Sequence, residues 1–379
     1  MTHPSPAALV VDRMEVILVR WPLRMKRRHG VGDVERSLPG VVIRLTTKDG
    51  IIGWGEAAPW SVFSGTAEAN AAALDVYLRP LVVGRPASEI ARLLDEADHV
   101  IVGHGEAKAA LEMALDDVRG KALGVAVAEL HGGIVRREIP LSVSIANPDF
   151  NEDLEFAAER VSEGVRLFKV KTGFLTHRED LRRLERLKAV LPADAEMRID
   201  YNQGLDAYDA LRKVRDVEAF APGFIEQPVA RERRDVMAMI AAAIDTPLLA
   251  DESVFTPAEA VQMVRSRFAD AVSIKLMKCG GIRRAKEIAA IAGAGGMPAY
   301  GGTMYEAGIA LAAGIHAVAS TANISLGAEF YTANHVLGVD ILATPLDLSG
   351  GASHLPAGPG LGIEIDEAAL AHVTIDRRG

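Results

Sequence analysis

The chain predicts an α/β fold: a modified TIM barrel, (β/α)7β, beneath an N-terminal α+β capping domain that the C-terminal segment completes. Three observations predict it. From residue 139 onward short apolar runs alternate with helical stretches, at the roughly 25–30-residue repeat of a βα unit. The first third instead alternates apolar and polar residues with period two, then turns helical. Finally, three of the recurring runs close on an acidic residue, Asp200, Glu226 and Asp251, at nearly equal spacing.

Taken in order, residues 14–21 and 41–47 alternate like antiparallel strands, Asp49-Gly50 is a hairpin turn signal, and residues 51–54 form a third strand. Helical periodicity follows over 67–81, 88–98 and 107–122. These elements make the cap, residues 1–135. The barrel, 136–345, takes its strands from 141–145, 167–171, 197–200, 223–226, 247–251, 271–275, 297–301 and 323–327. Helices fall between them, as at 180–190, 207–220, 257–267 and 282–292. After Glu329 the closing helix is weak. Gly350-Gly351 and residues 356–362 read as loop, returning residues 346–379 to the cap.

At 379 residues the chain is long enough for a barrel and a second domain. A net charge of −9 argues against nucleic acid or a membrane surface as partner. One cysteine, Cys279, excludes an intramolecular disulfide framework and fits a reducing cytoplasm. Beside Gly280-Gly281 it reads as packing at a strand-to-helix turn. Residues 1–8 carry no leader pattern, and no apolar run reaches the length of a membrane span. The expectation is a cytoplasmic protein acting on small molecules.

Carboxylates at equivalent ends of successive parallel strands converge on the C-terminal mouth of a barrel. Asp200, Glu226 and Asp251, with no Cys or His nearby, form a hard-oxygen set best suited to Mg²⁺. Lysines continue the rhythm on both sides. Lys169 and Lys171 share one strand face and precede the acidic set; Lys275 follows it. Each residue has a plainer reading, since a strand-end Asp is more often a helix cap and a Lys-x-Lys a solvated face. Their common phase over five repeats favours a proton-transfer site.

Beside these residues stand Gly53-Trp54-Gly55-Glu56-Ala57 in the cap and Lys275-Leu276-Met277-Lys278-Cys279-Gly280-Gly281. Further on come Tyr300-Gly301-Gly302-Thr303-Met304-Tyr305-Glu306, Gly327-Ala328-Glu329-Phe330 and the closing Gly358-Pro359-Gly360-Leu361-Gly362. Over nearly its whole length the chain resembles the enolase superfamily and, within it, the muconate-lactonizing (muconate cycloisomerase) subgroup. The mandelate-racemase subgroup is less similar: it places a His after the seventh barrel strand, where this chain has Tyr300-Gly301-Gly302. His316 lies in an apolar helical stretch and reads as a satisfied packing residue.

The resemblance implies Mg²⁺, with Mn²⁺ as substitute, held by Asp200, Glu226 and Asp251 against a small carboxylate substrate. It implies that Lys169 adds positive charge to that carboxylate, and that Lys171 and Lys275 stand on opposite faces of the carbon beside it, one exchanging the proton in a cycloisomerase and both in a racemase. Free lysine titrates near 10.4, so the metal, the other lysines and a dry pocket are expected to lower a lysine base. Glu329 is expected to line the site, and Asn202 and Glu252 to orient ligands and lysines. Lids are expected at about 23–31 and 57–66. From them Arg24 and its basic neighbours would face a second carboxylate, and Trp60 and Phe63 would wall the pocket. A homo-oligomer, dimer or octamer, is also implied.

Tyr305 stands where the muconate enzymes usually have Leu, Ala328 where they have Thr, and Cys279 where Asn is common. Substrate readings therefore stay open. Cycloisomerisation of cis,cis-muconate or a related diacid comes first. Racemisation of an N-succinyl amino acid or a proline-type betaine comes second, with Trp60, Phe63, Tyr305 and Phe330 as aromatic faces. A dipeptide epimerase would carry an Asp-x-Asp element near strand eight, and a non-enzymatic barrel would have lost a ligand or a lysine. Neither applies.

Overall fold

The computed structural model describes residues 9–34 and 36–379; the leader reading of residues 1–8 lies outside them. The cap opens with strand β1 (Val11–Pro22). Next comes a small hairpin of β2 (Arg27–His29) and β3 (Gly32–Val34), set where a simple lid loop was expected at 23–31. Strand β4 (Ser37–Thr47) then returns antiparallel along the whole of β1, and β5 (Ile52–Ala57) pairs with β4. The helix Gly105–Leu123 lies directly on β5. It can do so because Gly53 and Gly55 have no side chain: a Cβ at Gly55 would sit 1.9 Å from the Ala110 carbonyl oxygen.

The helix expected over 67–81 is present but interrupted. Residues Ala67–Ala72 and Arg79–Val82 are α-helical, and Ala73–Leu78 widen into a π-turn. Pro80 offers no N–H to the preceding turn, which removes an i→i−4 bond and accounts for the widening.

A short strand β6 (Glu138–Pro140) leads into eight parallel strands. These are β7 (Ser142–Ile145), β8 (Leu167–Lys171), β9 (Glu196–Asp200) and β10 (Ile225–Glu226), then β11 (Leu248–Ala250), β12 (Ala271–Ile274), β13 (Ala299–Gly301) and β14 (Ile324–Ala328). Each pairs with the next, and a parallel bridge between Leu141 and Ala328 joins last to first, closing the ring. Several intervening helices begin on strong caps. Thr176 with Glu179, and Thr256 with Glu259, form reciprocal capping boxes.

Alternation along the strands divides the core in two. Phe168, Val170, Met197 and Ile199 pack outward in the helical layer. Phe224, Leu249, Ala271 and Tyr300 form a separate apolar cluster inside the barrel. There the Arg198 guanidinium lies 4.8 Å from the Phe224 ring and 5.2 Å from that of Tyr300. This floor closes the barrel below the mouth.

Directly after β14 a short helix, Thr332–His335, stands where a closing barrel helix would lie, as the weak pattern there predicts. The chain then runs under the barrel, where β15 (Ala352–His354) pairs with β6, and returns to the cap. Its last strand, β16 (Thr374–Arg378), pairs antiparallel with β1, giving the cap sheet the order β16-β1-β4-β5. His316 is a satisfied packing residue, accepting from Ala128 N–H and donating to the Leu361 carbonyl. No helix among the described residues is long and apolar enough to cross a membrane.

Candidate active site

Barrel register sets the site. Lys171 lies opposite Asp200, and Asp200 opposite Glu226, across β8, β9 and β10. Asp251 follows β11 by one residue and Lys275 follows β12 by one. Strands β8 and β12 stand four apart in the ring of eight, so Lys171 and Lys275 approach the axis from opposite sides.

All of these side chains are buried and interlocked. Lys169 Nζ lies 2.8 Å from Glu226, 2.8 Å from Glu329 and 3.2 Å from Asp200. Lys171 donates to Asp200 at 2.5 Å and to the Asn202 side-chain oxygen at 2.9 Å. Lys275 donates to Asp251 at 2.5 Å. Lys278, whose part the sequence did not reveal, holds the other oxygen of Asp251 at 2.8 Å. Asn202 also donates to Glu252 at 3.2 Å, tying the two sides together.

The electrostatic balance is uneven. Burial works to raise Asp200 and Asp251, but Lys171 and Lys169 on the first, and Lys275 and Lys278 on the second, outweigh it and hold both low. Glu226 is the exception. Burial and then Asp200 push it up to about 8, and Lys169 offsets only part of this. Glu252 is pushed up to about 7 by burial and by Asp251. For Lys275, burial lowers the pKa, yet Asp251 and Glu226 outweigh it and hold the ammonium above the usual lysine range. Among the protein's own groups, these carboxylates outweigh the burial that favours a neutral amine.

Glu226 is also where the residues fit a divalent cation. Its Oε1 is buried without a hydrogen-bond partner among the described residues. An oxygen-only set of three fully buried carboxylates suits a hard divalent cation.

The cap supplies the wall. His29, Trp60 and Tyr305 meet edge to face, with ring centroids 4.9, 5.7 and 5.8 Å apart. Tyr305 Oη lies 3.0 Å from His29 Nε2. Burial, then Lys171 and Arg27, hold His29 well below its ordinary pKa, so it is neutral at pH 7. Phe63 stacks on Phe255 and lies 4.5 Å from Lys275 Nζ, measured to the ring centroid. Glu329 accepts from Ser144 Oγ at 2.5 Å while pairing with Lys169.

Arg24 is placed differently from the expectation. It is exposed and donates to the Asn334 carbonyl. The lid arginine that reaches inward is Arg27, buried, donating to the Ser144 carbonyl at 3.0 Å and to Tyr331 Oη at 3.2 Å. The cause is the hairpin: within β2, residues 27 and 29 share one face. Their alternation was the signal available in the sequence; Tyr331, on the turn after β14, offered none.

Two family models cover the chain. The "Mandelate racemase / muconate lactonizing enzyme, N-terminal domain" matches residues 13–132, and the "Enolase C-terminal domain-like" model matches residues 152–369. A chloromuconate cycloisomerase of Cupriavidus pinatubonensis is 38% identical over 93% of this chain and 95% of its own. The crystal structure of a muconate cycloisomerase from Azorhizobium caulinodans is 48% identical, with TM-score 0.85 over 96% of this chain and 98% of that one. That of an N-succinyl Arg/Lys racemase from Bacillus cereus is 31% identical, with TM-score 0.92 over 97% of this chain and 99% of that one. With this mouth and these relatives, the chain belongs to the muconate-lactonizing subgroup of the enolase superfamily and is an enzyme of the muconate cycloisomerase type.

Proposed function

We propose that the enzyme converts cis,cis-muconate, or a related unsaturated diacid, into its lactone on a Mg²⁺ ion held by Asp200, Glu226 and Asp251, with Mn²⁺ as substitute. The observation that carries this reading is the placement of Lys171 and Lys275 on opposite sides of one buried carboxylate cluster. When bound, the cation supplies positive charge to the substrate carboxylate.

Lys169 would add to that charge, a reading supported by its buried ammonium among three carboxylates at the mouth. One oxygen of the second carboxylate forms a C–O bond to the carbon β to the first. The π pair of that double bond moves onto the α-carbon and its carboxylate as an enediolate. A lysine ammonium then delivers its proton to the α-carbon, leaving a neutral amine that regains a proton from solvent. Net, the diacid dianion takes up one proton and becomes the lactone monoanion.

A second reading, racemisation of an N-succinyl amino acid, rests on the same pair of opposed lysines and on the likeness to the Bacillus cereus racemase. Proton NMR in D₂O with Mg²⁺ separates the two. Muconolactone formation, with deuterium at its methylene and loss in the Lys171→Ala or Lys275→Ala variant, is the expected result. Racemisation of an N-succinyl amino acid without any lactone would replace the first reading with the second.

A further inference from the structure

We infer that Arg27 and Tyr331 form a carboxylate subsite beside Lys171, which selects substrates carrying a second carboxylate; this rests on the α-carboxylate reading above. The subsite faces a cavity of about 30 Å³ bordered by Arg27, His29, Lys171, Tyr305, Glu329 and Tyr331. At roughly 10–15 Å³ per water-sized atom, it has room for about the two oxygens of a carboxylate.

Arg27 is the unusual member. Its guanidinium is buried, and no carboxylate among the described residues lies within ion-pair distance. Its neutral acceptors are the Ser144 carbonyl, Tyr331 Oη and the Met25 sulfur, and its Nε has no partner. Asp153 and Glu329 act on the guanidinium only from beyond ion-pair distance, and the Asp153 oxygens are taken by the Ala146 and Asn147 N–H groups. Buried charges are ordinarily paired directly, so a cation without a contacting counter-ion at the rim of a substrate cavity points to an anion from outside the chain.

Tyr331 completes the site. Its oxygen accepts from both Arg27 and the Ser144 N–H, which uses its lone pairs and leaves the hydroxyl proton free to donate. Glu329 does not cancel the attraction, because Lys169 and Ser144 Oγ already hold its two oxygens. On the remaining side Lys171 adds a second cation, and neutral His29 with Tyr305 closes the wall.

The geometry also says what the subsite does. A carboxylate held through one oxygen by Arg27 and Tyr331 keeps its other oxygen free to attack. Its negative charge disappears as the lactone forms, so Arg27 contributes to binding more than to the chemical step. Truncation should therefore raise KM far more than it lowers kcat.

The test is calorimetric titration of the Mg²⁺-loaded protein with adipate and with hexanoate, saturated ligands that differ in the second carboxylate and cannot cyclise. Adipate is expected to bind the parent enzyme more tightly. Arg27→Met should weaken adipate by roughly 10–100-fold while moving hexanoate less than about threefold. Tyr331→Phe should weaken adipate by a smaller factor, and Arg27→Lys should retain part of the preference, which covers the case in which Arg27→Met does not fold. Equal affinity for the two ligands in the parent, or an adipate preference that survives Arg27→Met or Tyr331→Phe with Arg27→Lys unchanged, overturns the subsite. Loss of the preference in an enzyme that does not cyclise muconate would keep the subsite and reject the proposed reaction. Cyclisation by an enzyme whose adipate preference ignores Arg27 would do the reverse.

Discussion

At the rim of the barrel, Lys169, Lys171, Asp200 and Glu226 hang from adjacent hydrogen-bonded strands, and their spacing is fixed by the sheet. Above it, Arg27, His29 and Trp60 come from a small hairpin and a loop of the cap, and meet the barrel through ring edges and single hydrogen bonds. The rim cannot shift one residue without breaking the ladder; the wall can be rebuilt by changing a turn. Chemistry common to a superfamily suits the first kind of construction, and choice of substrate suits the second.

If that division is right, damage at the rim should abolish turnover whatever the substrate. The largest effect is expected for Lys171→Ala or Lys275→Ala, with kcat for muconate falling by about 10²–10⁴-fold in at least one of them. Ultraviolet loss of the diene measures it. Near-normal rates in both variants would remove the lysines from the chemistry. Glu226→Gln should come next. Glu226, whose Oε1 is buried without a partner and whose charge Lys169 only partly offsets, is the carboxylate whose removal should cost metal, and Mg²⁺ affinity by calorimetry should drop at least about tenfold. Unchanged affinity would place the ion elsewhere.

The wall is tested at Gly30. The hairpin docks there against the barrel so tightly that a Cβ would lie 2.2 Å from the Tyr201 carbonyl oxygen. Gly30→Ala should lift the hairpin that carries Arg27 and His29 and lower kcat/KM by roughly 10–100-fold, while Mg²⁺ affinity stays unchanged. A loss of metal binding in this variant would erase the distinction between rim and wall.

The same division explains what was legible beforehand. Asp200, Glu226, Asp251 and the lysines could be read because parallel strands repeat at a fixed interval and each bears its functional group at the same end. Arg24 and Arg27 cannot be told apart in the sequence, because a basic run between strands reads as a loop in which every residue is equivalent; folded as a hairpin, it presents only residues 27 and 29 inward. Lys278 lay in a recognised segment, yet nothing in its spacing showed that a helical turn would bring it back onto Asp251. Glu56 stood in the Gly53–Ala57 motif without a visible role, because its partners lie in the barrel, some 250 residues on.

Glu56 marks where wall and rim are joined, and it carries the smallest of the expected effects. From β5 of the cap it accepts the N–H groups of Ala307 and Ala310, at 2.6 and 3.0 Å, at the start of the barrel helix Gly308–Ala319. Burial pushes its carboxyl up to about 7, and these amides offset only part of that rise. A carboxyl raised in the folded state costs nothing while protonated in both states. The cost grows as pH climbs from about 4.5 to about 7 and is constant above that, so this group makes the folded chain less stable at pH 8 than at pH 5. Glu56→Gln keeps an acceptor for one of the two helix amides and removes the titration, so the measured quantity is the pH dependence and not the absolute stability. The substitution should therefore shrink the pH 5 to pH 8 difference in thermal stability by an amount on the order of 2 kcal/mol, with the rim's chemistry unaffected. An unchanged pH dependence would mean that Glu56 stays ionised, with the helix N-terminus alone sufficient to hold its charge between the two domains.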